Sequence, residues 1–438
     1  MRWPLLGDIP DLFKDVPGTF ARLYKTYGDR APFLMGTNRG MLLSSPEDAK
    51  LVLMAPDTKV QKSRYTKMMG VVFGESVLIA EGEKWAAQRA YLNPLFTPKA
   101  IMRHIPVIID ETHELCRSFS AEAPPIFNAN EQSRLLIQRI MGRILFGDLF
   151  PRDKLDALMR DLQTVNECLF GEFIRKSILR GPLSILPSRN RRKFEAAISS
   201  ISRFIDELIE SGVSDDNQSL AAEIIRAAPV GEDRRREIKD QITVLFYAGQ
   251  DTTARALAWI LYFLCEHPEW VEKIRKEATK ARLESGSTVD LKALGATLCV
   301  VKETLRLRPV AYAIDRQVLS SDVLPSDAAP PDTITPISVT NIHRHPAYWD
   351  HSGEFDPSRF SSEGAAGRHP CAFIPFGHGR RKCVGSSLAE LELTLVVAII
   401  SAHFDLSRAD AVPIRAKAAV TLAPDPEFRV ILTRPYRD

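Results

Sequence analysis

Apolar residues recur at helical spacing along most of the chain and at strand spacing in two limited zones. Phe20, Leu23, Tyr24 and Tyr27 fall on one helical face, and Gly28 stops that helix. Ser45-Pro46-Glu47-Asp48 is an N-cap signature ahead of Ala49, Val52 and Leu53. Between them, Ala31 to Leu34 and Met41 to Leu43 read as short strands. From Pro98 to about Glu284 one helix follows another, broken at Phe150-Pro151, Gly181-Pro182, Pro187 and Pro229. The longest predicted helix runs from about Glu232 to Glu266, roughly 50 Å at the rise of an α-helix, long enough to cross a core. Beyond Leu307 short strands and turns take over, at Asp315 to Leu319 and Thr333 to Val339, with Ser326 to Pro331 as a turn-rich tip. A strong last helix spans about Gly385 to Phe404, and strands near Ala418 to Leu422 and Phe428 to Leu432 close the chain. The pattern predicts a mainly α protein with small β-sheets, an α+β fold. It is read as one domain over 1–438, β-rich near 31–43 and 310–340 and helical over 84–307 and 385–404.

Composition narrows the function. The 438 residues carry 58 Lys and Arg against 55 Asp and Glu, so a net charge of +3 gives no electrostatic reason to expect nucleic acid or a polybasic membrane anchor. Six cysteines (Cys116, Cys168, Cys265, Cys299, Cys371, Cys383) without a CxxC pair argue against zinc and against a secreted disulfide framework. The first residues, with Pro4, Gly7, Asp8 and Pro10, resemble neither a signal peptide nor an anchor, and the best apolar run, Leu393 to Ala402, ends at His403. The expectation is a cytoplasmic protein with no transmembrane anchor.

Two segments break the local rules. Inside the long helix lies Tyr247-Ala248-Gly249-Gln250-Asp251-Thr252-Thr253, where glycine weakens the helix by about 1 kcal/mol and two β-branched residues follow a carboxylate. Such local violations gather at functional sites. The other is Phe376-Gly377-His378-Gly379-Arg380-Arg381-Lys382-Cys383-Val384-Gly385, directly before the last helix. Glycines allow tight turns ahead of the cysteine, and Gly385 lets the chain enter a helix after it. A cysteine at a helix start, flanked by Arg380, Arg381 and Lys382, has its thiolate stabilised by the dipole and by positive charge. The other five cysteines sit inside helical or strand patterns and read as buried and structural.

On Phe376, Gly379, Arg381, Cys383 and Gly385 the sequence resembles the cytochrome P-450 superfamily of haem-thiolate monooxygenases. The resemblance makes Cys383 the axial ligand of a haem b (iron protoporphyrin IX), whose thiolate favours O–O cleavage. It gives Arg381 a haem propionate, with Phe376 and Gly385 as further cofactor-binding positions. Four further matches follow in family order. Glu303-Thr304-Leu305-Arg306 is the family's Glu-x-x-Arg, with both charges on one helical face, and Arg359 in Asp356-Pro357-Ser358-Arg359-Phe360 completes a structural network with Glu303 and Arg306. Trp85 and Arg89 match Trp-x-x-x-Arg and imply a shared propionate, with Arg316 as another partner and His343 as a core or capping histidine. Ala248 to Thr253 matches the acid-alcohol segment: Ala and Gly leave room for oxygen, Thr252 hydrogen-bonds the oxygen being activated and Asp251 relays protons from solvent. Val310 stands where a second proline often follows Pro309, and Ser358 replaces a common Glu.

The same resemblance outlines a substrate pocket. It takes Met68, Met69, Val72, Phe73 and Leu78 from one segment, Leu169 and Phe170 from a second, and Tyr247 and Ala248 from the long helix. Val310, Ile314, Thr421 and Leu422 complete it. The apolar character favours a lipophilic small molecule such as a terpenoid, steroid or fatty acid. The stretch 175–193, rich in Arg and Lys with interleaved apolar residues, reads as a solvated loop, with a membrane-brushing surface as the other reading. With no flavin or iron–sulfur domain, electrons are expected from a separate ferredoxin or flavodoxin and its reductase, and NAD(P)H only indirectly; dioxygen is the co-substrate. The donor is expected to dock on the cysteine side, near Arg380, Lys382, Lys84, Lys99 and Arg103. A monomer is expected. The other reading of the haem-thiolate pattern is a ligand-binding or sensor protein without turnover, which would not need Asp251 and Thr252.

Overall fold

Ser45 Oγ accepts a hydrogen bond from the Asp48 N–H at 3.1 Å, with Pro46 first in the helix behind it. That cap opens a chain of helices in a computed structural model that describes residues 7–35, 38–119, 125–147, 157–165, 167–169, 189–210, 217–283, 289–325 and 330–435. The longer helices are α1 (Val16–Tyr27), α2 (Pro46–Met54), α3 (Gly82–Leu92), α4 (Ile105–Ser118), α5 (Ala129–Phe146) and α6 (Arg189–Glu210). They continue with α7 (Leu220–Ala227), α8 (Arg234–Glu266), α9 (Pro268–Ala281), α10 (Gly295–Leu307) and α11 (Ser386–His403). The predicted long helix is therefore present as α8, and it runs through Gly249 without a break. The chain is mainly α with small sheets, as the pattern predicts.

Contacts divide the chain into two compact units, one of residues 1–61, 101–137 and 251–438, the other of 62–100 and 138–250. Among the described residues, the first holds all the sheet. Strands β1 (Arg30–Met35) and β2 (Asn38–Leu43) pair antiparallel, Arg30 opposite Leu43. With β3 (Val60–Gln61), β5 (Ala313–Ile314), β6 (Gln317–Val318), β7 (Thr333–Ile334) and β8 (Ile337–Ser338) they form one seven-stranded sheet in the order β3-β6-β7-β2-β8-β5, with β1 on β2. Leu43, Val52, Leu53, Val318, Ile337 and Ile374 form the core beside it. Strand β4 (Ile126–Asn128) lies within the span read as helical and pairs with β12 (Arg429–Thr433), which also pairs with β9 (Asp405–Arg408). Helices α4, α9, α10 and α11 pack in the same unit. Helix α11 is long and apolar enough to cross a membrane by composition, but it is a core helix, with Leu393 through Ser401 buried.

The second unit is helical. Phe146 of α5 meets Phe204 of α6 and Phe246 of α8 edge to face, at 5.2 and 5.0 Å between centroids. A Cβ on Gly249 would lie 2.6 Å from Met141 Cε, so the room beside this glycine, expected to serve oxygen, is taken by close packing of α5 on α8.

Three local readings change. The run Ala418 to Leu422, read as one strand, spans a hairpin: Ala418 ends β10 (Arg415–Ala418), Leu422 begins β11 (Leu422–Asp425), and residues 419–421 are the tip. Tyr27 ends α1 on the solvent side, 50% exposed, where the periodicity placed it inward. Of the stretch 175–193, residues through 188 lie outside the described residues, and the rest begins α6 instead of continuing a loop.

Candidate active site

The segment before α11 folds as a tight loop. Gly377 and Gly379 take φ of 75° and 70°, the left-handed region that side chains avoid. The Cys383 N–H donates to the Phe376 carbonyl at 2.9 Å and the Lys382 N–H to Gly379 at 3.2 Å, closing the loop. A Cβ on Gly379 would meet the Leu53 backbone oxygen at 2.5 Å, so the loop is pressed against the end of α2. Ile314 lies against the same loop, 3.8 Å from where a Gly377 Cβ would stand. Gly385, expected to need special freedom, is the N-cap of α11 at an ordinary φ of −85°. No side chain caps that helix, which leaves its first turn of N–H groups available to a negative group ahead of it.

Cys383 is exposed at this turn. Burial pushes the thiols of Cys116 and Cys265 up to about 12 and that of Cys371 up to about 11, and it raises Cys299 as well. Those side chains are poor thiolates. An accessible sulfur, a fixed backbone turn and an uncapped helix start suit a thiolate-ligated iron porphyrin, so the donor set fits a haem. Arg381 departs from the expectation: one of its terminal nitrogens lies 2.9 Å from Asp57 Oδ2, an acidic partner 324 positions away that the sequence did not flag. A guanidinium has five donors, so this bond leaves the propionate role intact.

Arg306 and Glu303, both fully buried, pair through two parallel bonds of 2.7 Å. The remaining Arg306 donors reach the carbonyls of His343, Ser352 and Glu354 at 2.9, 2.7 and 2.9 Å. The Asp356 N–H adds 2.9 Å to Glu303 Oε1, and Arg359 Nε stands 3.7 Å from the same oxygen. His343 accepts from the Ile374 N–H at 2.8 Å through Nε2, which leaves Nδ1–H to donate to the Arg306 carbonyl at 3.2 Å. Burial holds it down to about 3, a neutral core histidine.

On α8, Asp251 and Arg255 stand one turn apart, with Arg255 Nε 2.9 Å from both carboxylate oxygens. The Thr421 hydroxyl, at the β10–β11 tip, donates to Asp251 Oδ2 at 2.5 Å. Thr421 was read as pocket lining, and its polar end instead meets the acid. Arg255 went unflagged in the sequence, although its i+4 spacing from Asp251 is a signal for it; no sequence signal marks Thr421 as a partner of the acid. Thr252 is half-buried, and Ala248, one turn before it on the same face, is exposed.

Trp85, 6% exposed, and the half-buried Arg89 share a face of α3, with Gln88 between them donating to the Glu75 carbonyl at 2.8 Å. Arg316 donates to the carbonyl of its neighbour Asp315 at 2.7 Å. The pocket residues divide. Phe73, Leu169, Val310 and Leu422 are at most 5% exposed and belong to the packed core. Phe73 packs on Tyr247, itself buried, at 5.0 Å between rings, and Leu422 is fixed through its carbonyl by Trp259 Nε1. Met68, Met69, Val72, Leu78, Ala248 and Ile314 keep accessible surface. Phe170 lies outside the described residues.

Known proteins are similar to this chain over most of its length. Cyclooctat-9-en-7-ol 5-monooxygenase of Streptomyces melanosporofaciens is 27% identical over 412 residues, 92% of this chain and 88% of the relative. The protein LUTEIN DEFICIENT 5, chloroplastic, of Arabidopsis thaliana is 24% identical over 440 residues, covering 94% and 73%. A cytokinin hydroxylase of the same plant is 25% identical over 405 residues, covering 87% and 76%. Since the Cytochrome P-450 family profile matches residues 1–431, nearly the whole length, this chain belongs to the cytochrome P-450 family.

Proposed function

We propose that this cytochrome P-450 monooxygenase inserts one oxygen atom of dioxygen into a lipophilic small molecule, by hydroxylation or epoxidation, with electrons from a separate ferredoxin- or flavodoxin-type donor. Bound haem supplies an iron that activates dioxygen. The chain supplies the rest. Cys383 Sγ would ligate the iron; Arg381, Trp85, Arg89 and Arg316 would hold the propionates; Phe376 and Gly385 would frame the ligand loop. Thr252 Oγ1 and the Asp251 carboxylate handle the protons that accompany oxygen cleavage, and Glu303, Arg306 and Arg359 hold the scaffold. Substrate is met by Met68, Met69, Val72, Leu78, Ala248 and Ile314, whose accessible surface is apolar. That composition, together with the Streptomyces relative named for cyclooctat-9-en-7-ol, favours a terpenoid, steroid or fatty-acid-like substrate.

The observation that carries the reading is the Cys383 loop, with its accessible thiol at the start of α11, in contrast to Cys116, Cys265 and Cys371, whose thiols are pushed up by burial. Exposed Lys382 and Arg380 in the same loop suit an acidic electron donor. We place the protein in the cytoplasm as a monomer. Holoprotein supplied with a ferredoxin, its reductase and NADPH is to be incubated with lipophilic compounds under isotopically labelled dioxygen. One labelled oxygen in a product, from a compound that also shifts the haem spin state, is the expected result. Spin-state shifts across a broad panel with no labelled product from any compound would favour a ligand-binding or sensor protein.

A further inference from the structure

Two donors of different kind converge on Asp251. Arg255 sets Nε 2.9 Å from both carboxylate oxygens, and Thr421 donates its hydroxyl proton to Oδ2 at 2.5 Å. The Asp251 side chain is 15% exposed and Thr421 7%, so these bonds are made largely away from water, where a hydrogen bond to a charged group counts for most.

A guanidinium only donates, so Arg255 can bind the carboxylate oxygens but cannot accept a proton from them. A hydroxyl donates or accepts by rotating about its C–O bond. Once Oδ2 carries a proton, the Thr421 oxygen that donated to it can accept from it. We propose that Thr421 is a positioning residue for Asp251, its hydroxyl keeping the carboxyl group in place through both protonation states. Asp251 thereby takes up a proton from solvent and releases it inward while staying in register on α8. The proton gained at Oδ2 is the proton given up, the carboxylate is regenerated, and no other reagent enters. The inference rests on the reading of Asp251 as the proton-relaying acid.

The hairpin tip is fixed well enough for this role. The Tyr312 hydroxyl donates to the Ala419 carbonyl at 2.8 Å, and the Ala419 N–H donates to the Thr421 carbonyl at 3.0 Å. The Leu422 N–H reaches the Val310 carbonyl at 3.0 Å, and Trp259 Nε1, two turns beyond Asp251 on α8, donates to the Leu422 carbonyl at 3.3 Å. These bonds tie the tip to the segment after α10 and to the helix that carries the acid. A role in shape alone would be met by valine, which has nearly the threonine outline without the hydroxyl.

The test compares Thr421→Val, Thr421→Ser, Asp251→Asn and the double variant Thr421→Val/Asp251→Asn as holoenzymes with a redox donor and a turned-over substrate. In Thr421→Val the substrate-induced spin shift should keep its parent affinity. The share of reducing equivalents released as hydrogen peroxide should rise severalfold, and the solvent deuterium isotope effect on product formation should grow. Thr421→Ser should restore the parent values, and Thr421→Val should add nothing in the Asp251→Asn background. Melting temperatures of the four proteins read the bond without turnover, and the two substitutions should be non-additive there. If Asp251→Asn leaves peroxide release and isotope effect at parent values, the relay reading fails and this inference with it. If Asp251→Asn uncouples turnover while Thr421→Val does not, if Ser gives no rescue, or if the two substitutions add, the relay stands and the role of Thr421 is wrong.

Discussion

Arg306 uses all five of its donors inside the fold, two on Glu303 and three on carbonyls of the segment 343–354. Half of that arrangement was legible: the i, i+3 spacing puts Glu303 and Arg306 on one face. The carbonyl acceptors were not, because a loop carries no periodic signal to say which oxygens turn inward. Arg359, read as the third member, stands 3.7 Å from Glu303 and 3.8 Å from Asp356, looser than the central pair. A second buried carboxyl passed unnoticed. Glu392 of α11 is 1% exposed with no partner for Oε1, and burial pushes its carboxyl well above the usual range. In the sequence it is one acidic residue in a leucine-rich helix. Its folded form holds a proton that the unfolded chain has lost above about pH 4.5, so its contribution to stability is fully present below that pH and is lost as pH rises toward the raised folded value. Glu392→Gln should therefore be more stable than the parent at pH 8. Melting temperatures of the two proteins should converge by pH 4; parallel pH profiles would contradict this.

At the scale of elements, the turn before α11 was read correctly as a glycine-enabled cysteine loop, since glycine spacing reports backbone conformation directly. Which glycine matters was not legible. Gly385 has an ordinary φ, whereas Gly379 combines φ 70° with a Cβ position 2.5 Å from the Leu53 oxygen. Gly367 has the same φ of 70° in open space and serves as a control. Gly379→Ala should cost on the order of 1–3 kcal/mol more than Gly367→Ala in denaturant unfolding, and it should lower the thiolate-ligated fraction of the haem. Equal losses in both variants would mean that the contact with α2 does not set the loop. The hairpin tip at 419–421 shows the opposite outcome. Ala419, Val420 and Thr421 look like a strand because short apolar runs carry little periodicity, and contacts remote in sequence around them, from Val310, Tyr312 and Trp259, fix them as a turn.

Over the whole molecule a charge of +3 gives little attraction for an acidic donor, so steering must come from local charge. Lys382 and Arg380 are exposed beside Cys383 in one unit, whereas Lys84 in the other is paired with Glu75, which lessens its pull. Replacing Lys382 and Arg380 by Glu should slow reduction by a ferredoxin at low ionic strength. The difference should shrink as salt shortens the screening length to about 10 Å at 0.1 M, and dithionite reduction should be unaffected. A first-electron rate equal to the parent's and indifferent to salt would place the donor elsewhere.

The central claim is that Cys383 is the iron's thiolate ligand, and the carbon monoxide difference spectrum of the ferrous protein tests it most directly. Cys383→Ser should lose the red-shifted band characteristic of thiolate ligation, while Cys371→Ser, which alters a buried thiol pushed up to about 11, should keep it. Retention of that band in Cys383→Ser would contradict the account.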